Sequence, residues 1–202
     1  MVRFQRKFNQ LINVLLLIGV VVLLFSSSLR TSAASTLQNW LLKTGLLDAE
    51  VTKYEGLGVV NEPWALAQLD GTPLDSAALE GKLIFLHVWA TWCPPCIAEL
   101  PDIQQLVQSV SSEDVTFLLV SVDKEGGTVQ QFLEENQYTL PVYRLSEKLP
   151  SSVQYNVIPT TFVIDPSGQI IYKHEGLAQY NHEEFKQFLL KNSSTPAKLE
   201  TQ

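Results

Sequence analysis

Residues 83–90 read LIFLHVWA and run directly into Thr91-Trp92-Cys93-Pro94-Pro95-Cys96. His87 is the only polar side chain in that run. A stretch of strand length that is apolar on both faces belongs in the middle of a sheet covered by other elements. Two consecutive prolines are tolerated in the first turn of a helix, where the amides have no intrahelical acceptor to lose. The pattern therefore predicts a buried strand, a short junction, and a helix opening at Pro94 and continuing to about Val110.

The surrounding chain alternates in the same way. Trp64–Leu69 has strand character and ends in an Asp70-Gly71 turn, Val115–Val122 is a second apolar strand, and Thr128–Asn136 has helical character. Thr160–Ile164 runs into Asp165-Pro166-Ser167-Gly168, a turn by composition, and Gln169–His174 returns as its hairpin partner. Asn181–Lys191 is a last amphipathic helix with Phe185, Phe188, Leu189 and Leu190 on its apolar side. This order predicts an α/β sandwich, a mixed sheet flanked by helices, over residues 63–192. Residues 193–202 form a polar tail.

Cys93 and Cys96 are the only cysteines in 202 residues, too few for a disulfide-stapled scaffold. At the head of a helix they lie at i and i+3, facing the same way. The unpaired amides and positive dipole end of the first turn stabilise a thiolate at Cys93, lowering its pKa toward the range that thiol–disulfide exchange requires. Cys93 is then the attacking sulfur, and Cys96, one turn inside, the shielded resolving sulfur. A static disulfide or half of a zinc site are the alternatives, and zinc would need ligands from His87, His174 and His182, with no second paired motif.

The N-terminus has a different composition. Leu11–Phe25 (LINVLLLIGVVVLLF) is almost wholly apolar, preceded by Arg3, Arg6 and Lys7 and followed by three serines. Residues 11–29 would rise roughly 28 Å as a helix, close to the hydrocarbon thickness of a bilayer. The favoured expectation is a single-pass anchor within residues 1–30; a signal peptide cleaved after Ser32-Ala33-Ala34 is the alternative. In either case the positive-inside rule leaves the basic tip in the cytoplasm and exports the rest, where disulfides persist. Residues 31–62 read as a linker with an amphipathic helix around Thr36–Leu47, weakened by Gly45.

The first thirty residues carry four basic and no acidic side chains, leaving ten basic against twenty-one acidic for the exported part. An acidic domain of this kind is a poor nucleic-acid binder. No Gly-rich phosphate loop, repeat or cofactor motif is present, so no cofactor or resident metal is expected.

WATWCPPC followed by Glu99-Leu100-Pro101 resembles the thioredoxin superfamily, and more closely its membrane-anchored TlpA/ResA-like thiol–disulfide oxidoreductases. Leu69-Asp70-Gly71, Leu79-Glu80-Gly81-Lys82, Ser121-Val122-Asp123, Ile158 to Asp165 and Gly168 also stand where that family has similar residues. The resemblance implies an N-terminal hairpin extension, an inserted strand–helix unit, and a cis peptide between Ile158 and Pro159 opposite the cysteines. It implies a substrate surface around Trp92, Pro94, Pro95, Ile158 and Pro159, with Trp92 over the sulfurs, and a proton-handling role for Glu99. It departs from thioredoxin at His87, where thioredoxin has a buried aspartate acting as proton acceptor. His87 is expected to be a core histidine satisfied by a hydrogen bond, which makes Glu99 the better proton carrier.

The implied partners are protein dithiols and disulfides as substrates, a membrane thiol carrier as electron donor, and the bacterial cytoplasmic membrane. The implied activity is periplasmic disulfide reduction in a role like cytochrome c maturation. A disulfide-forming oxidant with the same site and a redox-inert chaperone or metal-delivery module are the alternatives. A peroxidase of the peroxiredoxin type lacks its Pro-x-x-x-Thr-x-x-Cys loop here.

Overall fold

The computed structural model describes Ala49 and residues 56–110, 115–146 and 148–193. The expected anchor, the Thr36–Leu47 helix and residues 194–202 lie outside them. Among the described residues no helix is long and apolar enough to cross a membrane.

Six strands form one mixed sheet: β1 (Leu66–Gln68), β2 (Leu83–Trp89), β3 (Val115–Ser121), β4 (Val142–Leu145), β5 (Thr160–Ile164) and β6 (Ile170–Glu175), in the order β1-β4-β3-β2-β5-β6. β2 runs parallel to β3 and antiparallel to β5, so it sits in the interior, and all seven of its residues are buried. That agrees with its unbroken apolar run. Among the described residues three α-helices accompany the sheet, α1 (Pro94–Ser109), α2 (Gly126–Glu135) and α3 (Glu183–Ser193), with a short 3-10 turn at Ser76–Leu79.

Because strand side chains alternate, β2 divides its residues between two cores. Leu83, Phe85 and Trp89 join Ile103 and Leu106 of α1, Val129 and Leu133 of α2, and Phe185, Phe188 and Leu189 of α3. Ile84, Leu86 and Val88 face the other way, against Trp64, Leu66, Leu79 and Val153. All three α-helices thus contribute to one face, while the 3-10 turn and irregular segments on either side of it and before β5 cover the other. His87, at an odd position, points to the helical face.

The expected elements are present with shifted ends. The strand expected over Trp64–Leu69 is only three residues long, and its turn is closed by Asp70 Oδ1, which accepts from Thr72 N at 2.8 Å. β1 together with an isolated bridge from Ala67 to Pro73 forms the N-terminal hairpin that the resemblance implied. β4 was not among the strands read from the residue pattern. It has four residues, only Val142 is buried, and its pairing with β1 joins segments more than seventy residues apart.

The β5–β6 hairpin shows why one glycine is required. Asp165 Oδ1 accepts from the amides of Ser167 and Gln169, folding the turn back, and Gly168 completes it at φ 84°. A Cβ at Gly168 would lie 2.7 Å from the Val60 carbonyl oxygen, whose neighbouring amide donates to Gly168 O.

Candidate active site

β2 delivers Trp89 and Ala90 to the C-terminal end of the sheet, and α1 begins four residues later. Cys93 is the N-cap of α1 with extended backbone, and its Sγ accepts from the amide of Cys96 at 3.4 Å. Pro94 and Pro95 occupy the first two helical positions, as their missing amides permit. The two sulfurs are joined in a disulfide. Cys93 is 4% exposed and Cys96 fully buried, so an incoming group can meet only the first. Among the described residues no three metal-ligating side chains converge.

The Ile158–Pro159 peptide is cis, and the Ile158 carbonyl oxygen lies 3.8 Å from Cys93 Sγ. In the oxidised pair this is a contact, since the sulfur has no hydrogen to donate. Pro159 is buried and anchored through its carbonyl, which accepts from Gly176 N at 2.8 Å. The residues that precede Cys93 and Ile158 in the chain are exposed and apolar: Trp92 is 66% exposed and Val157 51%. Such exposure excludes an ordinary core role for Trp92, and its ring stands out into solvent beside the cysteines.

Below the disulfide lies a polar pair. Glu99 is one turn after Cys96 on the buried side of α1, and His87 is two residues before Trp89 on β2; both side chains are 0% exposed. Their nearest atoms, His87 Nε2 and Glu99 Oε2, are 3.5 Å apart, longer than a good hydrogen bond, yet neither atom has another polar partner. The remaining atoms are held: His87 Nδ1 is 2.9 Å from Thr161 Oγ1, and Glu99 Oε1 accepts from Ala178 N at 2.5 Å. Burial pushes the Glu99 carboxyl well above the usual carboxylate range, the Ala178 amide opposing and the nearby Asp102 assisting. Burial also pushes His87 down to about 3. Burial thus disfavours the charged form of both groups, and Oε2 is the carboxyl oxygen that faces the ring nitrogen.

The expectation for His87 as a hydrogen-bonded core histidine describes its Nδ1 side. Its other face meets Glu99, a contact that nothing in the local sequence pattern announces. Asp123 has a role that is likewise invisible in the local sequence pattern. It sits just past the end of β3, and the parallel pairing of Trp89 with Ser121 brings it beside the junction. Its carboxylate accepts from Thr91 N (2.9 Å), Thr91 Oγ1 (2.7 Å) and Ser121 Oγ (2.7 Å), tying down the loop that presents Cys93. An acid immediately after a strand parallel to the one feeding the cysteines is the signal that could have found it.

A mixed sheet with a CxxC disulfide at the head of a helix, next to a cis-proline loop, defines a thioredoxin-fold protein with a redox-type cysteine pair. The chain belongs to the Redoxin family, whose description matches residues 51–188, and within the thioredoxin superfamily it is TlpA/ResA-like. It is 35% identical to the thiol-disulfide oxidoreductase ResA of Oceanobacillus iheyensis over 51% of this chain and 54% of that one. It is 30% identical to ResA of Halalkalibacterium halodurans over 62% of this chain and 73% of that one. The match thus spans about half the length of the first relative and nearly three quarters of the second. A thiol:disulfide interchange protein of Chlorobium tepidum, solved by crystallography, superimposes with TM-score 0.56 at 27% identity, covering 73% of this chain and 99% of that one.

Proposed function

We propose that the protein is a thiol–disulfide oxidoreductase that reduces disulfides in exported proteins, held at the outer face of the bacterial cytoplasmic membrane by its N-terminal segment. The observation that carries the reading is Cys93 as the N-cap of α1, with its sulfur taking the Cys96 amide and Cys96 itself sealed behind it. An N-cap sulfur favours the thiolate, because the orphan amides and the helix dipole stabilise negative charge there.

The Cys93 thiolate attacks one sulfur of a substrate disulfide. The substrate S–S bond breaks, a Cys93–substrate bond forms, and the first substrate thiolate leaves and takes up a proton. Cys96 then loses its proton and attacks Cys93 Sγ, forming the Cys93–Cys96 disulfide and expelling the second substrate thiolate, which is protonated in turn. Two electrons pass from the pair to the substrate, and a membrane dithiol carrier returns two by the reverse exchange. Trp92, Pro94, Pro95 and Ile158 form the apolar surface for the substrate segment, with Pro159 behind it. Glu99 handles the proton of Cys96. The names of the two ResA relatives and the N-terminal apolar segment support this reading, and a cytochrome c apoprotein is the substrate class it favours.

The test is to express Cys96→Ser in a bacterial host and identify proteins disulfide-bonded to Cys93. Exported proteins with paired cysteines, captured by Cys96→Ser and not by Cys93→Ser, are the expected result. Capture of cytosolic proteins alone would refute the location, and a couple more oxidising than about −120 mV, the value of a strong disulfide donor, would reverse the direction of electron flow.

A further inference from the structure

The resolving step requires Cys96 to lose a proton, yet its side chain is fully buried. On the same helix face, one turn on, the first titratable group is Glu99, and residues three apart on a helix are neighbours. A buried carboxyl, whose surroundings disfavour the charged form, is a poor base unaided. The structure supplies what is missing: His87 Nε2, a ring nitrogen 3.5 Å from Glu99 Oε2 with no other polar partner.

We infer that His87 is a positioning residue for the exchange proposed above, and that with Glu99 it forms a two-site proton relay serving Cys96. The inference rests on that proposed function. In the mixed-disulfide state the Glu99 Oε2 proton moves to His87 Nε2, and the carboxylate so formed takes the proton of Cys96. Cys96 thiolate attacks Cys93 Sγ, the bond from Cys93 to the substrate breaks, and the substrate thiolate departs. The additional proton held by the pair then passes to that thiolate, and both residues return to neutral. One proton enters the pair and one leaves it in each turnover.

Thr161 is compatible with the tautomer that the relay needs. Its hydroxyl is 2.9 Å from Nδ1 and, being able to accept, allows that nitrogen to carry the hydrogen while Nε2 keeps its lone pair free for Glu99. Thr161 is the β5 residue directly paired with His87, so register places it there. The other titratable groups around the relay are Asp102 on α1, Tyr172 and His174 on β6, and Tyr180 before α3. Asp102 is committed to the amides of Tyr180 and Asn181 at 2.6 and 3.0 Å. Burial holds Tyr180 well above the usual tyrosine range, so it does not exchange protons at neutral pH. His174 is half-buried, on the strand beyond Thr161.

The test separates the two chemical steps in the full-length chain in detergent. Reduced protein is mixed with 5,5′-dithiobis(2-nitrobenzoate), and release of the first and second thionitrobenzoate is followed by stopped flow from pH 5 to 9. The variants are His87→Asn, Glu99→Gln and the pair combined. The asparagine keeps a hydrogen-bonding group toward Thr161 without a titratable nitrogen. The second release is expected to slow about a hundredfold in each single variant, the low end for positioned proton transfer, with the double variant no slower than the worse single. The first release should change less than about twofold and keep its pH profile.

A second release in His87→Asn with the wild-type rate and pH profile overturns the relay, as does a double variant that multiplies the two single effects. If wild-type protein gives no first release, the proposed oxidoreductase function itself fails, which is a separate outcome. Should His87→Asn not fold, 15N spectra of the wild-type histidines decide instead. The His87 Nε2 resonance must respond as the reduced wild-type protein is titrated from pH 5 to 9 and Cys96 ionises, and a resonance that does not move overturns the relay.

Discussion

Replacing Glu99 by glutamine should stabilise the oxidised protein, by an amount that grows with pH. Glutamine reproduces the neutral carboxyl: its Oε1 can accept from Ala178 N and its amide can donate to His87 Nε2. In the wild type burial raises the carboxyl well above its ordinary 4.5 in the folded state. The native state therefore holds a proton that the unfolded chain releases, and stability falls as pH rises from 4.5 toward the folded pKa. The slope is about 1.4 kcal/mol per pH unit while the native carboxyl stays protonated. His87 acts in the opposite sense: depressed from 6.5 to about 3, it makes the native state lose stability as pH falls from 6.5 toward 3. The two slopes cancel between about 4.5 and 6.5, leaving for the wild type a rise below that window and a decline above it. Glu99→Gln removes the carboxyl's slope throughout, so the variant should gain stability up to about pH 6.5 and then level off. Urea unfolding of both proteins at pH 4, 5, 6, 7 and 8 measures the difference, expected near zero at pH 4 and growing above 4.5 by at most about 1.4 kcal/mol per pH unit. A difference that does not grow between pH 5 and pH 7, or a variant less stable than wild type throughout, would show that the buried carboxyl is not held neutral.

Three further outcomes test other parts of the structure. Asp123→Ala removes the acceptor of three hydrogen bonds at the junction before Cys93 and should cost on the order of 2–4 kcal/mol in urea unfolding, with faster reduction of the disulfide by dithiothreitol as the loop loosens. Gly168→Ala must place a Cβ against the Val60 carbonyl at a positive φ, and a loss of about 1–3 kcal/mol is expected; no loss would mean the turn can shift freely. Trp92→Ala, at an exposed position, should leave stability within about 0.5 kcal/mol and the rate with small disulfides unchanged, while lowering kcat/KM for a protein disulfide. Equal losses with both substrates would remove Trp92 from the protein-binding surface.

Much of the chain could be read in one dimension. The unbroken apolar run of β2 announces an interior strand, the two prolines after Cys93 locate the helix start, and the position of Cys96 one turn inside makes it the shielded sulfur. The Asp165–Gly168 turn and the apolar stripe of α3 follow equally from local composition. β4 escaped because a four-residue strand with one buried side chain carries no usable periodicity, and its existence depends on pairing with β1 and β3 far away in the chain. The placement of all three helices against one face of the sheet was invisible for a similar reason: a helix's apolar stripe says that it packs, not on which side.

The candidate site divides along the same line. Residue type and spacing alone determined that Cys93 and Cys96 sit at a helix head, since helix capping and proline chemistry act over a few residues. Only the tertiary structure decided what surrounds them. His87 and Glu99 are read separately as a core histidine and a helical glutamate. They become a pair because β2 and α1 pack with their odd-numbered and buried faces together, excluding water from both side chains. Thr161 and Ala178, which hold the outer atoms of that pair, come from segments more than sixty residues further on. Local chemistry can place a sulfur at a helix dipole, but the protonation of a buried acid depends on which groups the folded chain brings within a few ångströms of it.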